Sequence, residues 1–497
     1  MEHFPQFRDN RIEGAMEIPQ EVQEVARGLQ AAGFEAYLVG GCVRDFLLGQ
    51  EPKDWDLTSN AWPEQIQEVF PDSVYENSFG TVGVKTNSGD LETALVEVTT
   101  YRLEGKYTDK RHPDEIKFAS TVEEDLARRD FTVNALAMDA NQRIVDPFGG
   151  QEDLKNKVLR AVGNPEERFT EDALRIMRAV RFMAQLGFQI ESETETAVKK
   201  HAGLLEFIAK ERIRDELSKM LMTANAAEGI RKMQELGLLK YVLPELEEGV
   251  GCGQNKHHIY EVFEHIVRSL DYSARKNHPF AVRLAALLHD VGKPRTKTGD
   301  GPDCHFYNHQ GVGEKMALAA LDRLKFPREI IEKVALLVRE HMFVYDPETV
   351  TPAGVRRLVR RVGPENMENL LLLREADRIG SGVPKAQPYR LRHLKFLIEK
   401  VSQDPISVKM LKVGGQDVLR EAGIEPGPKV GSILSILLEE VLDDPNLNVR
   451  EVLLGRIKDL SQLEDKKLEE MSKFAKKSAD EAQGRIEEEI KKKYFVK

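Results

Sequence analysis

The feature that most constrains this chain is a change of pattern at "DPFGG", residues 146–150. Before it, apolar runs are short and alternate with polar residues, the spacing of strands, with brief helical stretches between them. After it, apolar residues recur every three or four positions nearly to the end, the spacing of helices. A chain of 497 residues is too long for one core. The break therefore predicts an α/β head, a mixed sheet with helices, followed by an all-α neck, body and tail.

Within the head, residues 18–33 read as a helix stopped at Gly33, followed by the strand "EAYLVGG". A short helix "VRDFLLG" ends at Gly49, and "KDWDLTSN" is a second strand. "AWPEQIQEVFP" is helical between its prolines, and "TVGVKT", "LVEVTTYR" and "EIKFAS" are strand-like. In the helical part, Ala173, Ile176, Met177, Val180 and Ala184 share one face and Gly187 stops the helix. "YVLPELEEGVGCGQ" (241–254) reads as a linker, and "GIEPGPKVGS" (423–432) breaks a later helical run. The expected divisions are a head at 1–150, a neck at 151–250, a helical metal domain at 251–400 and a tail at 401–497. In the charge-rich tail, Met471, Ala475, Ala482, Ile486 and Ile490 keep one helical face.

Apolar runs such as "LAALLHD" are far too short to cross a bilayer, so no membrane is expected as a partner. The acidic N-terminus has no apolar run, which disfavours a secretory signal. Three scattered cysteines fit a reducing compartment, and a cytoplasmic protein is expected. The net charge of −11 argues against bulk nucleic-acid affinity. The charge is uneven, however: residues 1–100 carry 18 acids and 6 bases, and residues 155–240 carry 13 acids and 16 bases. A polyanion would settle more easily beyond the head.

The stretch "GGCVRDFLLGQEPKDWDL" (40–57) carries the first chemistry. Alternate side chains of a strand share a face, so Asp54 and Asp56 would project together with Trp55 turned away. Two carboxylates so close call for cations between them, and a pair of Mg²⁺ ions is what in-line nucleotidyl displacement uses. Gly40 and Gly41 let backbone approach phosphate oxygens, and Arg44 adds a charged donor. Taken alone, an Asp-x-Asp is a common chance match.

Three further stretches add to it. "EEDLARRDFTVNALAMD" sets Arg128, Arg129 and Asp130 before an apolar-alternating strand, and "DPFGGQEDL" is a glycine turn. "RFTEDALRIMRAVRF" places Arg175, Arg178 and Arg181 behind Glu171 and Asp172, where they should converge on one side. Asp172 and Arg175 would be neighbours one turn apart. An acceptor beside a donor matches the Watson–Crick edge of cytosine or adenine and refuses guanine and uracil.

Residues 255–380 hold a separate set: His265, His289-Asp290 at the end of an apolar helix, His305, His309, His341 and Asp377. Imidazoles and carboxylates in this number suit a divalent metal such as Mn²⁺, Ni²⁺ or Zn²⁺.

"LVGGCVRDFLLGQEPKDWDL", "ARRDFTVNALAMD", "DPFGGQEDL" and "EDALRIMRAVRF" resemble the ordered motifs of the class II CCA-adding enzymes, the bacterial-type tRNA nucleotidyltransferases and poly(A) polymerases. The resemblance spans about residues 20–245 and implies a polymerase-β-like nucleotidyltransferase head with a helical neck. It implies that Asp54 and Asp56 hold catalytic Mg²⁺, and that Gly40, Gly41 and Arg44 cradle the triphosphate. Arg129, Asp130 and Asn134 would lie around the ribose and triphosphate. Asp172 and Arg175, with Arg178 and Arg181 behind them, would select CTP and then ATP. Glu97 reads either as a third carboxylate of that site or as a solvated strand residue. "RLEGKYTDKRHPDEIKF" resembles the loop needed to switch from C to A addition.

Residues 255–380 resemble the HD-domain metal-dependent phosphohydrolases. By that likeness His265, His289, Asp290 and Asp377 bind a first metal, and His309 and His341 extend toward a second. Such a metal could activate water against a phosphomonoester or a 2′,3′-cyclic phosphate. The sequence leaves open whether the site hydrolyses anything. The activity implied is addition of C, C and A to the tRNA 3′ end from CTP and ATP, the acceptor arm being held through its phosphates. The alternatives are A-only addition, poly(A) tailing, or, in another class, an HD phosphohydrolase whose head only binds RNA.

Overall fold

The computed structural model describes residues 17–77, 80–90, 93–103, 117–255, 259–343, 345–348, 350–402 and 411–496. The head strands are β1 (Ala36–Val39), β2 (Asp56–Ser59), β3 (Ser73–Asn77), β4 (Thr81–Lys85), β5 (Leu95–Thr100), β6 (Arg102–Leu103), β7 (Lys117–Phe118), β8 (Ala137–Met138) and β9 (Ile144–Val145). Seven of them form one mixed sheet in the order β3-β4-β5-β2-β1-β8-β9. β2 and β5 run parallel, with Asp56 opposite Glu97, and the other neighbours are antiparallel. β6 and β7 pair separately.

The head helices are α1 (Gln20–Ala31), α2 (Gly41–Leu47), α3 (Pro63–Val69) and α4 (Val122–Ala127). α1 forms because Val22, Val25, Ala26 and Leu29 make one buried stripe. α4 is started by Thr121, whose hydroxyl accepts the Glu124 N–H. The glycine turn at 146–150 opens α5 (Gly150–Asn156), where a Cβ on Gly150 would collide with the Thr132 carbonyl. This close approach seats α5 against the 3-10 turn Thr132–Asn134.

Two local expectations in the head fail. β2 begins at Asp56, and Asp54 sits in a bend before it, so the two carboxylates are not alternate residues of one strand. Trp55 is buried as expected. The strand expected after Asp130 is instead the 3-10 turn followed by the two-residue β8, because the chain turns to follow α5. β3 was not visible in the pattern: it is a sheet edge whose Val74 and Tyr75 remain exposed, so no buried alternation marks it.

The neck is α6 (Pro165–Glu171), α7 (Leu174–Leu186), α8 (Ser192–His201), α9 (Lys210–Leu221) and α10 (Ala226–Glu235), with β10 (Val158–Leu159) parallel to β11 (Gln189–Ile190). Gly187 ends α7 with a left-handed backbone, as the spacing predicts. The first half of the run read as a linker is helical, in α11 (Leu239–Val242) and α12 (Pro244–Glu247) with Val242, Leu243 and Leu246 buried, while 248–254 are turn and irregular chain. Pro244 splits them, which hides their periodicity.

Next come α13 (Val262–Arg275), α14 (Phe280–Leu288), α15 (Lys293–Thr296), α16 (His309–Arg323) and α17 (Arg328–Glu340). α14 is buried at every position from Ala281 to Leu288, as a helix apolar on all sides but for Arg283 must be.

The chain divides into two compact units: residues up to Arg339 with Leu372–Gly382, and Glu340–Leu371 with Val383–Lys497. The remaining helices are α18 (Pro352–Val362), α19 (Pro364–Gly380), α20 (Tyr389–Ser402), α21 (Gly415–Ala422), α22 (Pro428–Asp443), α23 (Arg450–Ser461) and α24 (Asp465–Tyr494). In the second unit Ile433, Leu437, Ile457, Leu468 and Ala475 share a core, with Met471 packed against it. The side chains of Ala482, Ile486 and Ile490 lie outside the described residues, as does most of the loop at 102–118. Among the described residues, no helix is long and apolar enough to cross a membrane.

Candidate active site and metal centre

β1 delivers Gly40, whose φ of 80° is a left-handed-region value that favours glycine. A Cβ there would lie 2.6 Å from Arg129 Nη1, so any other residue would also displace the Arg129 guanidinium. At Gly41 a Cβ would meet nothing nearer than Arg44 Nη2 at 3.7 Å, so that side of the turn is open. Arg44 is buried and already committed. It donates to Asp45 through Nε at 2.8 Å and Nη2 at 3.0 Å, and to Asn134 Oδ1 through Nη1 at 2.7 Å.

Asn134 passes the line on, donating to Asp130 Oδ1 at 3.2 Å, while Arg178 Nε donates to Asp130 Oδ2 at 2.6 Å. Burial works against charge on Asp130, but Arg178 and the Asn134 amide outweigh it and hold the carboxyl down to about 2. The head motif and the neck arginine are thus joined by one polar chain, Arg44–Asn134–Asp130–Arg178.

On the sheet, Asp56 and Glu97 are register partners and so share a face, with Glu97 exposed. Burial pushes the Asp56 carboxyl above its usual range, Arg129 pulls it back, and Asp54 adds to the rise. Asp54 therefore comes close enough to repel Asp56 even without sharing its strand. Two carboxylates in mutual repulsion, with Glu97 opposite Asp56 on the sheet, are oxygen donors of the kind that suit a hard cation such as Mg²⁺.

The stretch around Asp172 and Arg175 differs from expectation. The helix breaks at Asp172, between α6 and α7, and the side chains of Asp172 and Arg175 take other partners. Asp172 Oδ1 accepts the Leu174 N–H at 3.0 Å, capping α7, and Oδ2 accepts from Arg212 Nη2 at 2.9 Å. Arg175 is held by Glu171 at 2.8 Å and by the Arg128 carbonyl at 2.8 Å. The three arginines do not all converge. Arg178 and Arg181 reach Glu216, at 3.8 and 2.5 Å, and Arg181 stacks on Phe182 with 3.6 Å to the ring centre. Arg175 takes Glu171 and the Arg128 carbonyl instead, although its charge acts on Asp130 together with that of Arg178. Arg212, Glu216 and Phe182 were missed. Their signal in sequence was "RIRDE", which sets Arg212 and Glu216 one turn apart on α9.

The second constellation is drawn together by α13, the end of α14, α16 and α19. His265 Nε2 lies 3.0 Å from His289 Nε2 and 3.0 Å from Asp290 Oδ2, and 3.4 Å from Asp377 Oδ1. His289 Nδ1 donates to the Ala286 carbonyl at 2.9 Å, which leaves its Nε2 lone pair facing the cluster. His309 does the same, with Nδ1 on the Phe306 carbonyl at 2.8 Å and Nε2 3.4 Å from Asp290 Oδ1.

Burial opposes charge on His265, yet Asp290 and Asp377 raise its pKa to about 9, so the field of the site favours a cation. Inward lone pairs and two carboxylates fit a transition metal. Sequence reading missed Lys293, whose ammonium is 2.6 Å from Asp290 Oδ2 and 2.6 Å from Gln254 Oε1. It stands three residues after Asp290 in "HDVGK", within easy view. His341 is buried and falls in the second unit.

Three family descriptions match successive stretches: the Poly A polymerase head domain at residues 36–160, the probable RNA and SrmB-binding site of polymerase A at 187–249, and the HD domain at 257–381. A CCA-adding enzyme of Ligilactobacillus salivarius is 34% identical over 453 residues, covering 90% of this chain and 98% of that protein. An A-adding tRNA nucleotidyltransferase of Deinococcus radiodurans is 37% identical over 418 residues, covering 81% and 91%. The crystal structure of the Bacillus stearothermophilus CCA-adding enzyme in complex with CTP superposes with a TM-score of 0.58 at 29% identity, covering 88% of this chain and 96% of that one. With identity sustained over nearly the full length of such relatives, the chain belongs to the class II CCA-adding enzyme family.

Proposed function

We propose that this chain adds C, C and A to the 3′ end of tRNA from CTP and ATP, releasing pyrophosphate. The observation that carries this reading is the polar chain Arg44–Asn134–Asp130–Arg178, which ties the helix after the glycine pair in the head to α7 of the neck, two turns beyond Asp172. Asp54, Asp56 and Glu97 are the residues that would hold Mg²⁺. Bound there, Mg²⁺ supplies the acidity that ionises the tRNA 3′-hydroxyl and the charge that stabilises the α-phosphate transition state.

The open backbone at Gly41 and the guanidinium of Arg129 receive the triphosphate, and Asp130 with Asn134 fixes the ribose. Asp172 accepts from cytosine N4 or adenine N6. Arg175 donates to cytosine N3 and O2 or to adenine N1. Guanine and uracil offer the reverse pattern and are refused. The 3′-oxygen attacks the α-phosphorus, and the bond to the bridging oxygen breaks as pyrophosphate leaves. The bases of the neck hold the acceptor arm by its phosphates, reading shape and not sequence.

The CCA-adding relative and the CTP complex favour CTP use, whereas the Deinococcus relative keeps A-only addition as the alternative. Single-turnover incorporation decides: labelled CTP must extend tRNA lacking its last three nucleotides, and incorporation of A only, on tRNA-CC, overturns the reading.

The cluster His265, His289, Asp290 and Asp377 favours a second activity, metal-dependent hydrolysis of a phosphomonoester or 2′,3′-cyclic phosphate with Mn²⁺, Ni²⁺ or Zn²⁺. Asp290→Ala should abolish cleavage of 2′,3′-cyclic AMP, and a variant that cleaves as wild type does contradicts it.

A further inference from the structure

From the geometry of α9 we infer that Arg212 is the positioning residue for nucleotide selection: it sets the plane of the Asp172 carboxylate, and discrimination against UTP and GTP depends on it. The inference rests on the proposed addition reaction.

Asp172 lies at a helix break, where its own backbone does little to fix the side chain. Its carboxylate is held at both oxygens. Oδ1 takes the Leu174 N–H at 3.0 Å and a longer contact from Arg212 Nη1 at 3.4 Å, and Oδ2 takes Arg212 Nη2 at 2.9 Å. A guanidinium fork facing a carboxylate edge fixes its plane as well as its position. Only an ionised carboxylate is purely an acceptor, and acceptor-only character is what turns away the O4 of uracil and the O6 of guanine. Arg212 therefore orients the lone pairs that Asp172 keeps for a base. The pair stays within reach of a ligand, with side-chain exposures of 27% for Arg212 and 19% for Asp172.

Holding α9 in place does not fall to Arg212. Ile213, Leu217, Met220 and Leu221 are fully buried, Glu216 takes Arg181, and Arg283 binds the Leu221 and Thr223 carbonyls at the far end. Loss of Arg212 should leave the helix standing and free only Asp172.

The test measures kcat/KM for CTP against UTP on tRNA ending in one C, and for ATP against GTP on tRNA ending in CC. In Arg212→Met both ratios should fall at least about tenfold, with KM for CTP and ATP rising more than kcat falls. Arg212→Lys keeps the charge without the fork and should fall between wild type and Arg212→Met. Ratios are independent of the active fraction, so partial misfolding does not mimic the effect, and Arg212→Gln serves if the Met variant does not fold. Ratios that stay within about threefold of wild type overturn the inference, whatever the rate. If the wild-type protein itself adds neither C nor A, the proposed reaction fails instead.

Discussion

Asp130→Asn tests the polar chain that joins head and neck. The carboxylate accepts from Arg178 at 2.6 Å, Asn134 at 3.2 Å and the Phe131 N–H at 2.8 Å, and is buried. A carboxyl held at about 2 against an ordinary 3.8 contributes about 2 kcal/mol to folding at neutral pH. Asparagine keeps the shape and one acceptor oxygen, so the loss should be near that figure and below the 3–5 kcal/mol of a fully broken buried pair. The sign follows from the direction of the shift. The folded carboxyl is the stronger acid, so its contribution is complete above its unfolded value of about 4 and fades as the pH falls toward about 2. Urea titrations of the full chain, following the first unfolding transition at pH 7, 5, 3 and 2.5, should show a gap of about 2 kcal/mol that narrows only below about pH 4. A gap under about 0.5 kcal/mol at pH 7, or one that does not narrow in acid, refutes the reasoning.

Asp56→Asn should slow nucleotide addition by at least about 10²-fold while tRNA retention on filters changes little; an undiminished rate contradicts its assignment. A Cβ on Gly292 would collide with the His309 carbonyl and lie 2.6 Å from Gly313 N, so Gly292→Ala must push α16 away from Asp290. Mn²⁺ titration of that variant should show affinity about 10- to 100-fold weaker, and unchanged affinity refutes the cluster as a metal site. Arg283 is buried with no carboxylate partner among the described residues, and it donates to three backbone carbonyls and Asn277. Arg283→Met should cost about 3–5 kcal/mol in thermal unfolding, because it leaves those carbonyls unmatched; a cost below about 1 kcal/mol contradicts it.

What the sequence made legible was local. Gly187 as a helix stop, α14 as a buried helix and the all-helical remainder follow from residues within a few positions of one another. The identities of Asp56, Asp130 and His289 were legible as chemistry, because few residue types serve phosphate and metal sites. The partners of the neck residues were not. Arg212 meets Asp172 across 40 residues and Glu216 meets Arg181 across 35, and no periodicity reports such distances. Asp172 and Arg175 looked like a pair one turn apart, yet the helix breaks between them and each takes another partner. The edge strand β3 was hidden for the opposite reason, since an edge need not bury an alternating face.

The most direct test starts from one tRNA lacking its last three nucleotides, incubated with purified protein, CTP, ATP and Mg²⁺, with the 3′ ends of the products then sequenced. The account predicts ends reading C, CC and finally CCA, with growth stopping there. Products with no added C, or runs of A beyond the third position, would contradict it.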